Sequence, residues 1–248
     1  MFYCFIFLYL FLTSNANSQR AHFYRQDFPN AVSYNRFVEL ISRLFVPLNI
    51  LLHLLFGEET GIYFIDSTTI KACHNKRRYR NKVFAGLAKA SKSSMGYFYG
   101  FKLHAIINHK GEFMALKMTK GNVDDRTPVP ELSKGLTGVM AADKGYIKQN
   151  LFIELYEQGL KMIHGIKKNM KNKLMDLNEK ILLRKRSIVE TVFDYLKNKM
   201  DIEHTRHRSA INAFVHIVST LVAYSLKKHK PSINFSYSGS APISLIPN

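Results

Sequence analysis

The sequence predicts an α/β domain built on a mixed five-stranded sheet flanked by helices. Three observations predict it: a set of β-forming segments joined through a hairpin, a helix–strand alternation after them, and two short apolar strands that each run into an aspartate. Residues 62–65 (IYFI) are the first run of β-formers and end at Asp66. Residues 97–108 and 112–120 are the second and third strands, and His109-Lys110-Gly111 between them reads as a hairpin turn. Residues 128–135 form a short helix. Residues 138–142 are an apolar strand that ends at Asp143. Residues 150–158 are helical and Gly159 stops them. Residues 161–166 are the fifth strand, followed by helices over 181–200 and 210–228. Before the sheet, apolar residues at Phe37, Leu40, Ile41 and Leu44 keep helical spacing. Pro47 interrupts them, and a second apolar stretch runs to Phe56. After Pro231 the chain is rich in Ser and Pro and reads as an irregular tail.

The chain has 248 residues, which suits one principal domain with a small appendage. Its 46% hydrophobic content supports a sizeable core and excludes global disorder. Thirty-six Lys and Arg face 18 Asp and Glu, for a net charge of +18. A field of that sign and size favours a polyanion such as nucleic acid or an anionic membrane surface. The two cysteines, Cys4 and Cys73, give neither a disulfide framework nor zinc spacing, so the chain suits a reducing compartment. Cys73 beside His74 is a poor metal pair without further ligands. No Gly-rich phosphate loop is present, so the chemistry needs no nucleotide cofactor. The first twelve residues (MFYCFIFLYLFL) are apolar but lack a preceding basic segment. They read as a buried helix rather than a leader peptide, and they are short for a membrane span.

Asp66 in FIDST and Asp143 in AADKGY place two carboxylates beyond apolar strands, where parallel α/β sheets gather ligands. Each could also be a turn former or a helix cap. In RKRSIVETVFDYLKNK, the apolar residues Ile188, Val189, Val192, Phe193 and Leu196 form one helical face. At 100° per residue, Arg186, Glu190 and Lys197 fall on one stripe within roughly 40° beside that face. An ordinary i,i+4 ion pair between Arg186 and Glu190 accounts for part of the same pattern. Three carboxylates at one site would suit divalent cations and two-metal phosphoryl transfer.

These residues resemble the DDE transposases of bacterial insertion sequences. The order Asp66, Asp143, Glu190, with Arg186 four residues before the Glu and Lys197 seven after it, is similar to that family's pattern. IDSTTIKAC, YFYGFKLHAIIN, GNVDDRTPVPEL and AADKGYI resemble its segments around the catalytic strands, and the likeness runs from about residue 30 to about residue 228. One departure is Leu183, where related groups place a Tyr three residues before the Arg. The resemblance implies an RNase H-like catalytic domain over 59–230, a helical N-terminal segment over 1–58, shorter than usual and read as truncated, and a tail over 231–248. It implies Asp66, Asp143 and Glu190 as catalytic ligands of two divalent ions, Mg²⁺ or Mn²⁺. The activity implied is cleavage at element ends followed by strand transfer, or, in an inactive remnant, DNA binding alone. The implied partners are double-stranded DNA of the terminal inverted repeats and of the target, with a homodimer when active and no membrane. The implied location is the bacterial cytoplasm, with the nucleoid.

Between Asp66 and Glu112 no acidic residue occurs. Lys71, Lys76, Arg77, Arg78 and Arg80 crowd this stretch with Tyr79 and Phe84 interleaved, a pattern suited to phosphate contacts. Arg186, Lys197 and Lys144 join them as expected DNA contacts. His204, Arg206 and His207 are also open to that role. Asp124 and Asp125 in GNVDDRTP read as a helix cap before Pro128, with a fourth site carboxylate as the alternative. His104 reads as a structural strand residue.

Overall fold

The computed structural model describes residues 34–93, 96–166, 175–203 and 207–233. The expectations for residues 1–33, His204, Arg206 and the tail from 234 lie outside the described residues.

Six strands form one mixed sheet: β1 (Ile62–Cys73), β2 (Lys89–Ser93), β3 (Gly96–Asn108), β4 (Phe113–Lys120), β5 (Gly138–Ala142) and β6 (Leu160–His164). The order is β2-β3-β1-β5-β6, and β4 also pairs with β3. β3 is antiparallel to β1 on one edge. Its other edge is divided, with β2 beside residues 96–100 and β4 beside 101–107. β5 runs parallel to β1, and β6 parallel to β5. The five expected strands are all present, and the sixth is β2. Its sequence, KASKS, has no apolar alternation and no buried face; backbone pairing with β3 holds it.

β1 also differs from expectation. The apolar run ends at Ile65, but the strand continues through Asp66 to Cys73 because β3 pairs with it along nearly its whole length. Asp66 is therefore inside a strand, not at its end. Only the parallel pairing to β5 stops early, at Phe64 opposite Ala141.

The helices are α1 (Tyr34–Ile41), α2 (Phe45–Leu54), α3 (Val129–Leu132), α4 (Gln149–Glu157), α5 (Leu177–Lys185), α6 (Ser187–Asp194) and α7 (Ala210–Ser225). Pro47 sits in the first turn of α2, where a missing amide hydrogen costs nothing, so it marks a restart rather than a break. The strand period of two sorts the core into two layers. Ile62, Phe64, Leu103, Ala105 and Ala141 face a layer shared with α2, α6 and α7. Tyr63, Ile65, Ile106, Met140 and Ala142 face α3 and α4. Leu48 and Leu52 of α2 join the first layer, so this helix packs into the sheet's core. Among the described residues no helix is long and apolar enough to cross a membrane.

The helix expected over 181–200 is one helical path with two irregularities. α5 and α6 meet at Arg186, which keeps helical angles, and residues Tyr195–Lys199 widen into a π-turn in which the Met200 amide donates to the Tyr195 carbonyl at 3.2 Å.

Candidate active site

The strand register brings the two aspartates together. Phe64 pairs with Ala141, and Asp66 and Asp143 each lie two residues further on, on the layer facing α6. Asp143 ends β5 and opens a tight turn over Lys144–Tyr146, but its side chain makes no capping bond, so the capping role does not claim it. Asp66 is largely enclosed; its Oδ1 accepts the Ser67 amide at 2.8 Å.

α6 supplies the third carboxylate. Ile188, Val189, Val192 and Phe193 are buried against the sheet, which leaves Glu190 beside the apolar face with its side chain 55% exposed. Arg186 then joins all three acids. Its Nη2 lies 3.0 Å from Glu190 Oε1 and 3.8 Å from Asp143 Oδ1, and its Nη1 lies 3.9 Å from Asp66 Oδ2. The i,i+4 pair is real, yet it is one arm of a wider junction. Burial raises the Asp66 carboxyl to about 6, its amide bond and Arg186 pull it down, and Glu190 and Asp143 push it up.

A divalent ion fits this donor set in chemistry, because three carboxylates are hard oxygen donors gathered about one positive charge. The guanidinium supplies that charge. Among the described residues no three metal-capable side chains form a ready cage.

The remaining expected contacts lie on several elements outside this junction. Lys197 Nζ reaches Thr69 Oγ1 at 3.4 Å and Glu203 at 3.8 Å. Thr69 is three residues, about 10 Å, along β1 from Asp66, so Lys197 stands beside the site rather than among its acids. Burial lowers its ammonium pKa, Glu203 raises it and Lys71 lowers it further. The Lys71 side chain is exposed, and its amide donates to Glu203 at 2.9 Å. Lys76, Arg77, Arg78 and Arg80 lie on a short 3₁₀ segment (Asn75–Arg80) after β1, with Lys76, Arg77 and Arg80 exposed. His74 caps that segment through its ring, and Cys73 is buried. Lys144 is exposed and its stem lies against Gly165.

The Asp124–Asp125 doublet divides. Asp124 accepts the Arg126 amide at 2.9 Å and its Nε at 2.8 Å, a local turn and not the expected helix cap, since Pro128 stands at the N-cap of α3 without a side-chain bond. Asp125 does something the sequence pattern does not reveal: it accepts from Ser67 Oγ at 2.8 Å and from Lys102 Nζ at 3.0 Å. No local signal marks this interaction, since Ser67 and Asp125 are 58 residues apart.

The class that the geometry defines is a mixed α/β domain with acids from three elements gathered about one guanidinium. Residues 56–210 match the family described as "Transposase DDE domain", and the chain belongs to that family. Among curated proteins no relative matches it. Among solved structures the chain is similar to one described as a piggyBac transposase synaptic complex with hairpin DNA, with a TM-score of 0.45 and 12% identity. The match covers 80% of this chain and 56% of that one, so this chain spans little more than half the length of that protein.

Proposed function

We propose that this protein is a DNA transposase that cleaves DNA at the ends of an insertion sequence and joins the freed ends to target DNA. The observation that carries the reading is the junction at Arg186, where carboxylates from β1, the end of β5 and α6 meet one guanidinium within 3.9 Å. Asp66, Asp143 and Glu190 would hold the divalent ions on which domains of this family generally depend. Such ions, Mg²⁺ or Mn²⁺, supply activation of the attacking oxygen and stabilisation of the leaving oxygen when bound. Hydrolysis frees a 3′-hydroxyl, and its attack on target DNA makes one phosphodiester as another breaks.

The chain's own residues orient these steps. α6 fixes Glu190 through its buried face, the Ser67 amide orients Asp66, and Arg186 offers a guanidinium fork suited to a phosphate. The exposed bases of the 75–80 segment, with Lys71, Lys144 and Lys197, would carry the DNA backbone. Duplex DNA of the terminal repeats and target is the partner, a homodimer would bring two ends together, and the bacterial nucleoid would be the place of action.

The test is nicking of element-end DNA by the purified chain with Mg²⁺ or Mn²⁺. Asp143→Ala should lower nicking by at least about 10³-fold while DNA binding is retained. A parent chain that binds but never nicks would instead be a DNA-binding remnant. Equal nicking by Asp143→Ala would remove the aspartate from the site.

A further inference from the structure

We propose that Asp125 is a positioning residue for Asp66, acting through Ser67 from the opposite face of the sheet. The inference rests on the reading of Asp66 as a site carboxylate and extends it to residues outside the triad.

Ser67 is the link. Its backbone amide donates to Asp66 Oδ1 at 2.8 Å, and its hydroxyl donates to Asp125 Oδ1 at 2.8 Å. Successive strand residues point to opposite faces, so one residue ties the triad side of β1 to the layer under α3 and α4. Asp125 is itself held. Lys102 Nζ, on β3, donates to Asp125 Oδ1 at 3.0 Å and to the Val123 carbonyl at 3.0 Å, which fastens the loop between β4 and α3. His104, wholly buried, places Nδ1 3.9 Å from the same Asp125 oxygen and bonds Thr119 Oγ1 at 2.8 Å through Nε2. Burial holds the His104 pKa at about 4, so Lys102 is the cation that balances Asp125 at neutral pH. Tyr146, also buried, closes the group beside Ser67, in the field of Asp66 and Asp125.

The arrangement has a physical purpose at this point of the strand. Beyond Phe64, β1 loses its parallel partner β5, so Asp66 sits where the sheet supports it from one side only. A charge-assisted hydrogen bond on Ser67 restores rigidity there. Residues that orient a ligand-bearing side chain typically alter metal affinity about 10–100-fold when removed.

The experiment is calorimetric titration of Mn²⁺ into the metal-free full chain, with urea unfolding as a check on folding. Parent, Ser67→Ala, Asp125→Ala, the double variant and Asp143→Asn are compared. Ser67→Ala and Asp125→Ala should each weaken Mn²⁺ binding by about 10-fold, and the double variant should be no weaker than the poorer single, since both remove one link. If Asp125→Ala does not fold because Lys102 loses its partner, Ser67→Ala alone decides the question. Affinity within twofold of the parent in the folded single variants overturns the proposal. Additive losses overturn the route through Ser67. Asp143→Asn separates the two readings. If it abolishes Mn²⁺ binding while Ser67→Ala and Asp125→Ala leave it unchanged, only the positioning role fails. A parent that binds no Mn²⁺, or an Asp143→Asn variant that binds like the parent, overturns the carboxylate site and the positioning role with it.

Discussion

At the scale of single residues, Arg186 balances three acids at once. Glu190 and Asp143 are more than half exposed, so solvent screens their share, and the enclosed Asp66 accounts for most of the effect. Arg186→Met should therefore cost about 1–2 kcal/mol in EDTA at pH 8, and added Mn²⁺ should recover much of it. Thermal unfolding with and without the ion checks both parts. Asp66 carries a second consequence. Its carboxyl titrates at about 6 in the folded chain against an ordinary 3.8, so between those values the folded chain keeps a proton that the unfolded chain has lost. Its contribution to stability thus falls as pH rises through that window. His104 acts in the opposite sense: with a folded value of about 4 against an ordinary 6.5, it costs stability as pH falls through that range. The two largely offset each other. Asp66→Asn should gain about 2 kcal/mol above pH 6 and reveal the loss of stability toward pH 4 that His104 imposes. Urea midpoints from pH 4 to 8 in EDTA measure this, and parallel profiles for parent and variant would contradict it.

At the scale of elements, the site depends on close pairing of β1 and β3. Gly100 lies where their register shifts between Lys71 and Cys73, and an added Cβ would stand 2.1 Å from the Ile70 carbonyl oxygen. Backbone cannot yield as a flexible side chain does, so Gly100→Ala should destabilise the fold by more than about 2 kcal/mol and lower nicking through displacement of β1. Denaturant unfolding and nicking assays on the same preparation check it. The elements also show how far local pattern reaches. β5 is as the sequence predicts, because an apolar run between Gly138 and Asp143 encodes a buried strand directly. β1 was legible only to Ile65, since residues 66–69 (DSTT) are polar and only partly buried and the core pattern returns at Ile70 and Ala72. β2 was not legible, because its partner's backbone and not its side chains makes it a strand. The long helix was legible as a helix, whereas the junction at Arg186 and the π-turn after Asp194 were not, since packing of α6 on the sheet sets them.

At the scale of the whole molecule, charge is the leading feature. A net +18 with exposed Lys76, Arg77 and Arg80 on the segment that follows β1 gives a positive surface at the end of the strand that carries Asp66. Binding of duplex DNA should weaken steeply with salt. Replacing Lys76, Arg77 and Arg80 together with Ala should reduce the slope of log K against log salt by about 0.9 for each DNA phosphate that these side chains neutralise. Fluorescence anisotropy between about 50 and about 300 mM salt gives the slope. An unchanged slope would place the DNA on another surface.

The sequence by itself determined the α/β class and the five strands with apolar or alternating faces, while a resemblance to a known family, not periodicity, singled out Asp66, Asp143 and Glu190. Period and composition encode the class and the strands because burial of a face repeats along the chain. The tertiary structure alone decided that Asp66 and Asp143 stand side by side, that Arg186 reaches all three acids, and that Asp125 turns away from its neighbour's local turn to Ser67 on β1. Those interactions arise from strand register and helix docking between distant segments, and no periodicity within a segment carries that information.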